Sequence, residues 1–454
     1  MLPPEIWSRV FSELVLPATS NGSRRPLRPL YSLCLVSRQF RQIAQPLLHR
    51  TISFGYRHVG HPMLVRTLFG SPELARAVRK VALRDDDLAS LASHRQLLED
   101  TIRSLHAPEA FRHQLENSLK APDRGSFAAI VLAMTTAVRE IDIALNLEDG
   151  MAAPDLLSLL AGSNNIADDE NSQSQTEYRN FGLPSLKRMS LTVGDEMCCS
   201  ISGLESVLLR PGLEQLCLKK VYWHLNEGDA RQWPEGTSDL PSLTLDDSMV
   251  SGHSIQDIFT RFPNLRVFNF IASDRFSGRQ EDYDEEDDGE WGFRAAEVGY
   301  SLRRFGTKLE ALTLRTAYYR EGVMWDGSLW DDSLLGSLRE MDALRKLEID
   351  LSELTENLQD EDSAEWARNM VEILPPSLEE LIVPYHYTLF GKVFEIIKGN
   401  YFPALRLIAI LPVRGETEYI PSIKDEEIPG WAFILGGVGI SSTLEAFYSF
   451  QRKS

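Results

Sequence analysis

The sequence predicts an α/β protein in two parts: a small N-terminal three-helix module, then a long irregular solenoid of helix–strand units. Three observations predict it. Residues 2–48 carry apolar side chains at helical spacing around an interruption rich in Pro, Ser, Gly and Arg. From Val78 onward an apolar-x-x-apolar-x-apolar pattern returns ten times, with a weaker eleventh copy at Leu444 and Phe447. Helix-like stretches often end at a proline just ahead of the pattern, as in FTRFPNLRVF, EILPPSLEEL and GNYFPALRLI.

Composition sets the outer bounds. A chain of 454 residues corresponds to roughly three domains, or to one repeat array with an attachment. With 43% hydrophobic and 25% charged residues, wholesale disorder is excluded. The net charge of −19 argues against a general binder of nucleic acid or anionic membrane. That charge is uneven: residues 1–80 hold 12 Lys+Arg and 3 Asp+Glu, a net of +9, and the rest carries −28. Four cysteines without a CxxC pair form no disulfide framework, so a reducing intracellular compartment, cytoplasm or nucleus, is expected. No basic-then-apolar leader opens the sequence. No apolar run approaches the ~20 residues of a membrane span.

In the first module, Pro3 and Pro4 sit where a helix would start. Ile6, Val10, Phe11 and Leu14 then read as one apolar face. Pro17 to Pro29 reads as a flexible loop. Leu30, Leu33 and Cys34 begin a second helix, and Ser37 caps a third bearing Phe40, Ile43, Ala44, Leu47 and Leu48. Pro46 is expected to break that third helix into two pieces.

The stretches LPPEIWSRVFSEL and LYSLCLVSRQFRQIAQPLL resemble an F-box. Leu2, Pro3, Glu5, Ile6, Phe11 and Leu14 match the opening of that pattern; Leu35, Val36, Ser37, Arg38 and Phe40 match its close. The 13-residue loop is longer than in many members, and Phe40 stands where Trp is frequent. The resemblance implies docking on Skp1 and, through it, membership of a cullin–RING ubiquitin ligase. Leu2, Pro3, Ile6, Leu30, Leu33, Val36 and Phe40 are the expected Skp1-binding residues. Arg24, Arg25 and Arg28 either steer an acidic partner or form a solvated linker; the sequence leaves both open.

The recurring pattern starts at Val78, Val138, Leu186, Leu213, Leu240, Leu265, Leu309, Leu344, Leu378 and Leu405. Four gaps fall within the ~20–29 residues of leucine-rich repeats, and the others are longer. Alternation along a strand sends the later apolar positions of each copy inward and their neighbours outward. Such units must stack to bury their apolar sides. Together with the N-terminal module, the array resembles the F-box/leucine-rich-repeat architecture, although the repeat asparagine is missing after most strands. This division puts the F-box at 1–54 and an irregular horseshoe at 55–454, with an acidic insertion near 277–292.

In that architecture the array receives a protein substrate. The outward strand residues include Gln215, Cys217, Lys219, Thr313, Arg315, Lys346, Glu348, Asp350, Glu380 and Ile382. Leu407, Ala409 and Leu411 make the late outward row apolar, and the C-terminal tail (Trp431, Phe433, Phe447, Phe450) is expected to cover it. Aromatics follow several strands at similar offsets: Tyr222 and Trp223, Tyr318 and Tyr319, Tyr385 and Tyr387. They either gather on one rim as binding residues or pack on neighbouring loops. With Lys346 and Glu348 they form the candidate substrate-binding set.

Catalytic signatures are missing from the sequence. It contains no phosphate-binding P-loop, no HExxH and no Gly-x-Ser-x-Gly elbow. His58 and His61 lack a nearby Cys or carboxylate to complete a metal site. The expectation is a non-enzymatic adaptor without cofactor, membrane or nucleic-acid partner. An interaction scaffold that binds Skp1 without delivering substrates is the alternative.

Overall fold

The computed structural model describes residues 3–14, 28–54, 61–83, 95–105, 107–119, 124–144, 183–193, 198–201, 204–223, 238–250, 252–273, 295–316, 334–351, 354, 362–384, 389–411, 431–441 and 444–452. The chain is mixed α/β and divides into two compact units. The first is Met1–Asp195 with Ser202–Leu216, and the second is Glu196–Ile201 with Cys217–Ser454.

The first unit opens with three helices: α1 (Pro4–Glu13), α2 (Arg28–Val36) and α3 (Arg38–Leu48). Pro4 fits the first turn of α1, where a missing N–H costs nothing. Ser37 caps α3: its Oγ accepts from the Phe40 N–H at 3.0 Å. Phe11, Leu30 and Ala44 are fully buried, with Trp7, Leu33, Cys34, Phe40, Ile43, Leu47 and Leu48 packed around them. The rings of Trp7, Phe11 and Phe40 meet at centroid distances of 5.0–5.7 Å, a close aromatic triad.

Pro46 does not divide the third helix, which continues through it to Leu48. The proline sits in the last turn. It therefore forfeits one hydrogen bond near an end that is already short of partners.

Four parallel strands follow in the same unit: β1 (Thr51–Phe54), β2 (Lys80–Leu83), β3 (Glu140–Ala144) and β4 (Arg188–Thr192). Each pairs with the next in chain order. β1 lacks the repeat pattern and falls within residues 1–54, so the expected helical module ends in a strand that pairs with the array. Short strands β5 (Cys199–Ser200), β6 (Gln215–Lys219) and β7 (Val221–Trp223) come next.

The second unit carries β8 (Ser242–Val250), β9 (Val267–Ala272), β10 (Ala311–Thr316), β11 (Lys346–Ile349), β12 (Glu380–Pro384) and β13 (Leu407–Leu411). These too pair in parallel, each with its successor. Helices Gly252–Arg261, Ala295–Phe305, Ser363–Ile373 and Leu389–Gly399 precede β9, β10, β12 and β13. β14 (Trp431–Ser441) and β15 (Leu444–Arg452) form a hairpin, and β15 runs antiparallel to β13. The C-terminal tail thus extends the sheet edge instead of lying across its face. An extended strand leaves unpaired N–H and C=O groups on β13, and β15 satisfies them.

All ten copies of the repeat pattern become strands, and each strand begins two residues after the first apolar position. All three apolar positions of every copy are buried. A tight turn recurs ahead of the strand. The N–H of the first apolar residue donates to the carbonyl three residues back, as in Val138 to Thr135, Leu265 to Phe262 and Leu405 to Phe402, at 3.0–3.1 Å. That earlier residue is buried as well, so the working pattern has a fourth position upstream.

Where helices and loops meet closely, small residues are required. A Cβ on Gly299 would lie 1.7 Å from the Leu335 carbonyl oxygen. The Arg303 guanidinium donates to that same carbonyl at 2.8 Å, fixing the approach.

Candidate functional site

α1 carries two apolar stripes. Trp7 and Phe11 turn into the module core. Ile6, Val10 and Leu14, spaced four residues apart, remain 46%, 47% and 44% exposed. On α2, Leu30 and Leu33 face inward, while Tyr31, Leu35 and Val36 are 61%, 72% and 66% exposed. The module therefore closes its own core and still presents six large apolar side chains to water.

This sorts the expected docking residues. Pro3, Ile6 and Val36 are exposed; Leu2 lies outside the described residues. Leu30 is buried in the core, and Leu33 and Phe40 are half-buried against it. Those three hold the module together, because three short helices have no other apolar interior. Val10, Leu14, Tyr31 and Leu35 are exposed apolar residues outside that expected set. Their signal was present: α1 has more apolar residues than one core-facing stripe accommodates.

In the second unit, strand register stacks equivalent residues. Leu243, Phe268, Leu312, Leu347, Leu381 and Ile408 form one buried apolar row. The adjacent row on the opposite face starts polar: Thr244, Asn269, Thr313 and Glu348. Asn269 Nδ2 donates to Thr244 Oγ1 at 3.0 Å. The same row then turns apolar and fully buried at Ile382 and Ala409. Leu411 is buried as well, and Leu407 is half-buried.

Glu348 forms an ion pair with Arg315 at 2.7 Å, with both side chains under 10% exposed (9% and 7%). A pair this dry demands close charge compensation, so Glu348 is a framework residue more than an open contact. Lys346 reaches Glu380 at 3.8 Å on a more exposed edge. Trp223 is fully buried and so cannot line a rim, whereas Tyr222 is half-buried. Alternation along β7 places them on opposite sides. Tyr318, Tyr319, Tyr385 and Tyr387 lie outside the described residues, as does the acidic segment 281–290.

A polar knot lies where β6 meets β8. Lys220 and Asp247 adopt left-handed φ values of 56° and 51°, side by side. The Lys220 N–H donates to the Asp246 carbonyl at 2.9 Å, and Lys219 Nζ pairs with Asp246 at 2.9 Å. Ser273 Oγ donates to Asp247 Oδ1 at 2.8 Å, and buried Ser248 Oγ accepts from the Val221 N–H at 3.2 Å. These bonds explain the bends, which redirect both strands to build the short β5–β7–β8 sheet. In the first unit, burial pushes the Arg210 pKa down to about 10, and its guanidinium donates to the Leu183 carbonyl at 2.7 Å.

Among the described residues no group of His, Cys, Asp or Glu is placed to hold a metal ion. No described helix is long and apolar enough to cross a membrane. No protein-family model matches the chain, and no curated protein is similar to it in sequence.

Proposed function

We propose that this chain is the substrate-recognition subunit of a Skp1–cullin–F-box ubiquitin ligase. Helices α1–α3 act as the F-box that docks Skp1. The leucine-rich-repeat-like array takes a protein substrate, and the chain contributes no catalysis of its own. One observation carries the reading: a module with a closed aromatic core that still exposes Ile6, Val10, Leu14, Tyr31, Leu35 and Val36. An apolar face of that kind on so small a module is the usual centre of a stable interface. The sequential parallel strands within each unit support the receptor half, since stacked repeats offer a continuous surface.

The test is co-purification of the full chain with Skp1, followed by cullin recovery and a ubiquitination assay. Leu2→Ala with Pro3→Ala should abolish Skp1 binding; retained binding counts against the docking mode. Skp1 capture without cullin recovery or ubiquitination would move the chain to the class of interaction scaffolds. No Skp1 capture at all would sink the proposal.

A further inference from the structure

Within each unit, the position just before successive parallel strands forms a main-chain ladder. In the first unit it runs through Arg50, Arg79, Arg139 and Lys187 and ends at Glu214. Each of the four basic residues' carbonyls accepts two N–H groups from the next copy, at 2.8–3.1 Å. Neighbouring strands lie about 4.8 Å apart, so the four consecutive cationic residues stand in a row about 14 Å long.

In the second unit the same position starts at Pro241 and then alternates in sign: Arg266, Glu310, Arg345, Glu379, Arg406. Its neighbours pair at 3.2 Å (Arg266 with Glu310), 2.5 Å (Arg345 with Glu379) and 3.1 Å (Arg406 with Glu379). The first unit departs from this rule. Arg50 and Arg139 are exposed and make no ion pair among the described residues, and the same holds for Arg188 beside Lys187. Carbonyls of Arg76, Val78 and Ala137 hold the Arg79 guanidinium at 2.7–3.2 Å. Two carboxylates intrude: Glu140 pairs with Lys80, and Glu214 with Lys187 at 3.0 Å. An excess of positive charge remains.

Like charges this close lie inside the Debye length of about 8 Å and repel each other. A fold that elsewhere alternates its charges gains nothing from such a row unless an anion neutralises it. We infer that the row binds an acidic, extended segment of another protein, whose Asp and Glu side chains lie across the strand starts. Nucleic acid fits less well. The first unit holds 23 Lys+Arg and 23 Asp+Glu and is neutral, while the second carries the whole −19. A short cationic row on a neutral unit lacks the broad positive field that phosphate backbones select. The inference is independent of whether α1–α3 dock an adaptor.

The experiment is fluorescence anisotropy on the full chain. The probes are a fluorescein-labelled decapeptide of alternating Asp and Glu, its Asn/Gln counterpart, and a ten-thymidine single strand. The acidic peptide should bind at low ionic strength, weaken as salt rises, and outcompete the other two probes. The triple variant Arg50→Gln, Arg139→Gln, Arg188→Gln should weaken it at least about tenfold. A control triple, Arg9→Gln, Arg66→Gln, Arg368→Gln, removes three exposed arginines outside the row and should change it less than about twofold. Equal weakening by both triples, no peptide binding at low ionic strength, or tighter binding of the thymidine strand would each overturn the inference. The row variant should melt no lower than the parent, because repulsion is relieved. A lower melting temperature would contradict the repulsion on which the inference rests.

Discussion

Replacing Ile6, Val10 and Leu14 together by alanine separates docking from folding. These side chains are 46%, 47% and 44% exposed, so about half of each is left for a partner to bury. Full burial of an aliphatic side chain contributes about 1.5–3 kcal/mol, so the remaining half contributes about 1 kcal/mol. Three such halves give about 3 kcal/mol, or roughly 140-fold in Kd. Alanine preserves the helix, and surface changes of this kind move stability by less than about 0.5 kcal/mol. Phe11→Ala is the counterpart. It removes a ring from a core with three fully buried residues, Phe11, Leu30 and Ala44. The cost of about 3–5 kcal/mol should unfold α1–α3 locally. Titration calorimetry against Skp1 reads the first effect, and hydrogen exchange across residues 4–48 reads the second. The reasoning fails if the triple variant binds within about threefold of the parent, or if it loses protection as Phe11→Ala does.

Other outcomes follow from the second unit and the helix ends. A double-mutant cycle on Arg315 and Glu348, at 2.7 Å and nearly dry, should give a coupling above about 1 kcal/mol in denaturant unfolding; the exposed Arg266–Glu310 pair should give less than about 0.5 kcal/mol. Glu379→Lys breaks contacts to both Arg345 and Arg406 and sets three cations in a row; it should cost about 1–2 kcal/mol at low salt, and high salt should recover most of it. Gly299→Ala drives a methyl into the Leu335 carbonyl and should lower the thermal midpoint by about 4–10 °C, read by calorimetry. Ser37→Ala removes the α3 cap and should cost about 1 kcal/mol in chemical unfolding of the module.

The strands were legible because their signal is local. Leu309, Leu312 and Leu314 predict β10 by spacing alone, and parallel pairing demands that they be buried. β1 was not legible: Thr51–Phe54 carries no copy of the repeat pattern, and Ile52 is buried through pairing with Lys80–Leu83. The helices of the first module could be read from periodicity, but not their orientation. Ile6 and Phe11 look alike in a pattern, and only packing against Leu30 and Ala44 decides which one faces water. Trp223 failed for a similar reason: a pair of aromatics after a strand says nothing about which one alternation sends inside. Glu348 looked like a ligand contact because its sequence neighbours do not reveal Arg315 across the strand.

The two-residue offset between each first apolar position and its strand has a consequence for how such a chain changes over generations. Turn, offset and strand start are locked to one another through the carbonyl ladder, whereas the connection leaving each strand is not held by it. Stretches as different as 25 and 60 residues separate successive copies without disturbing that lock. Lengthening a connection costs only slowly growing closure entropy. New loops can therefore be tried, kept or lost one at a time while the hydrogen-bonded scaffold stays in frame. A single-residue insertion between Leu344 and Lys346 would instead reverse the faces of β11 and break the array. Anyone grafting foreign sequence onto this protein inherits the same division between permissive and forbidden sites.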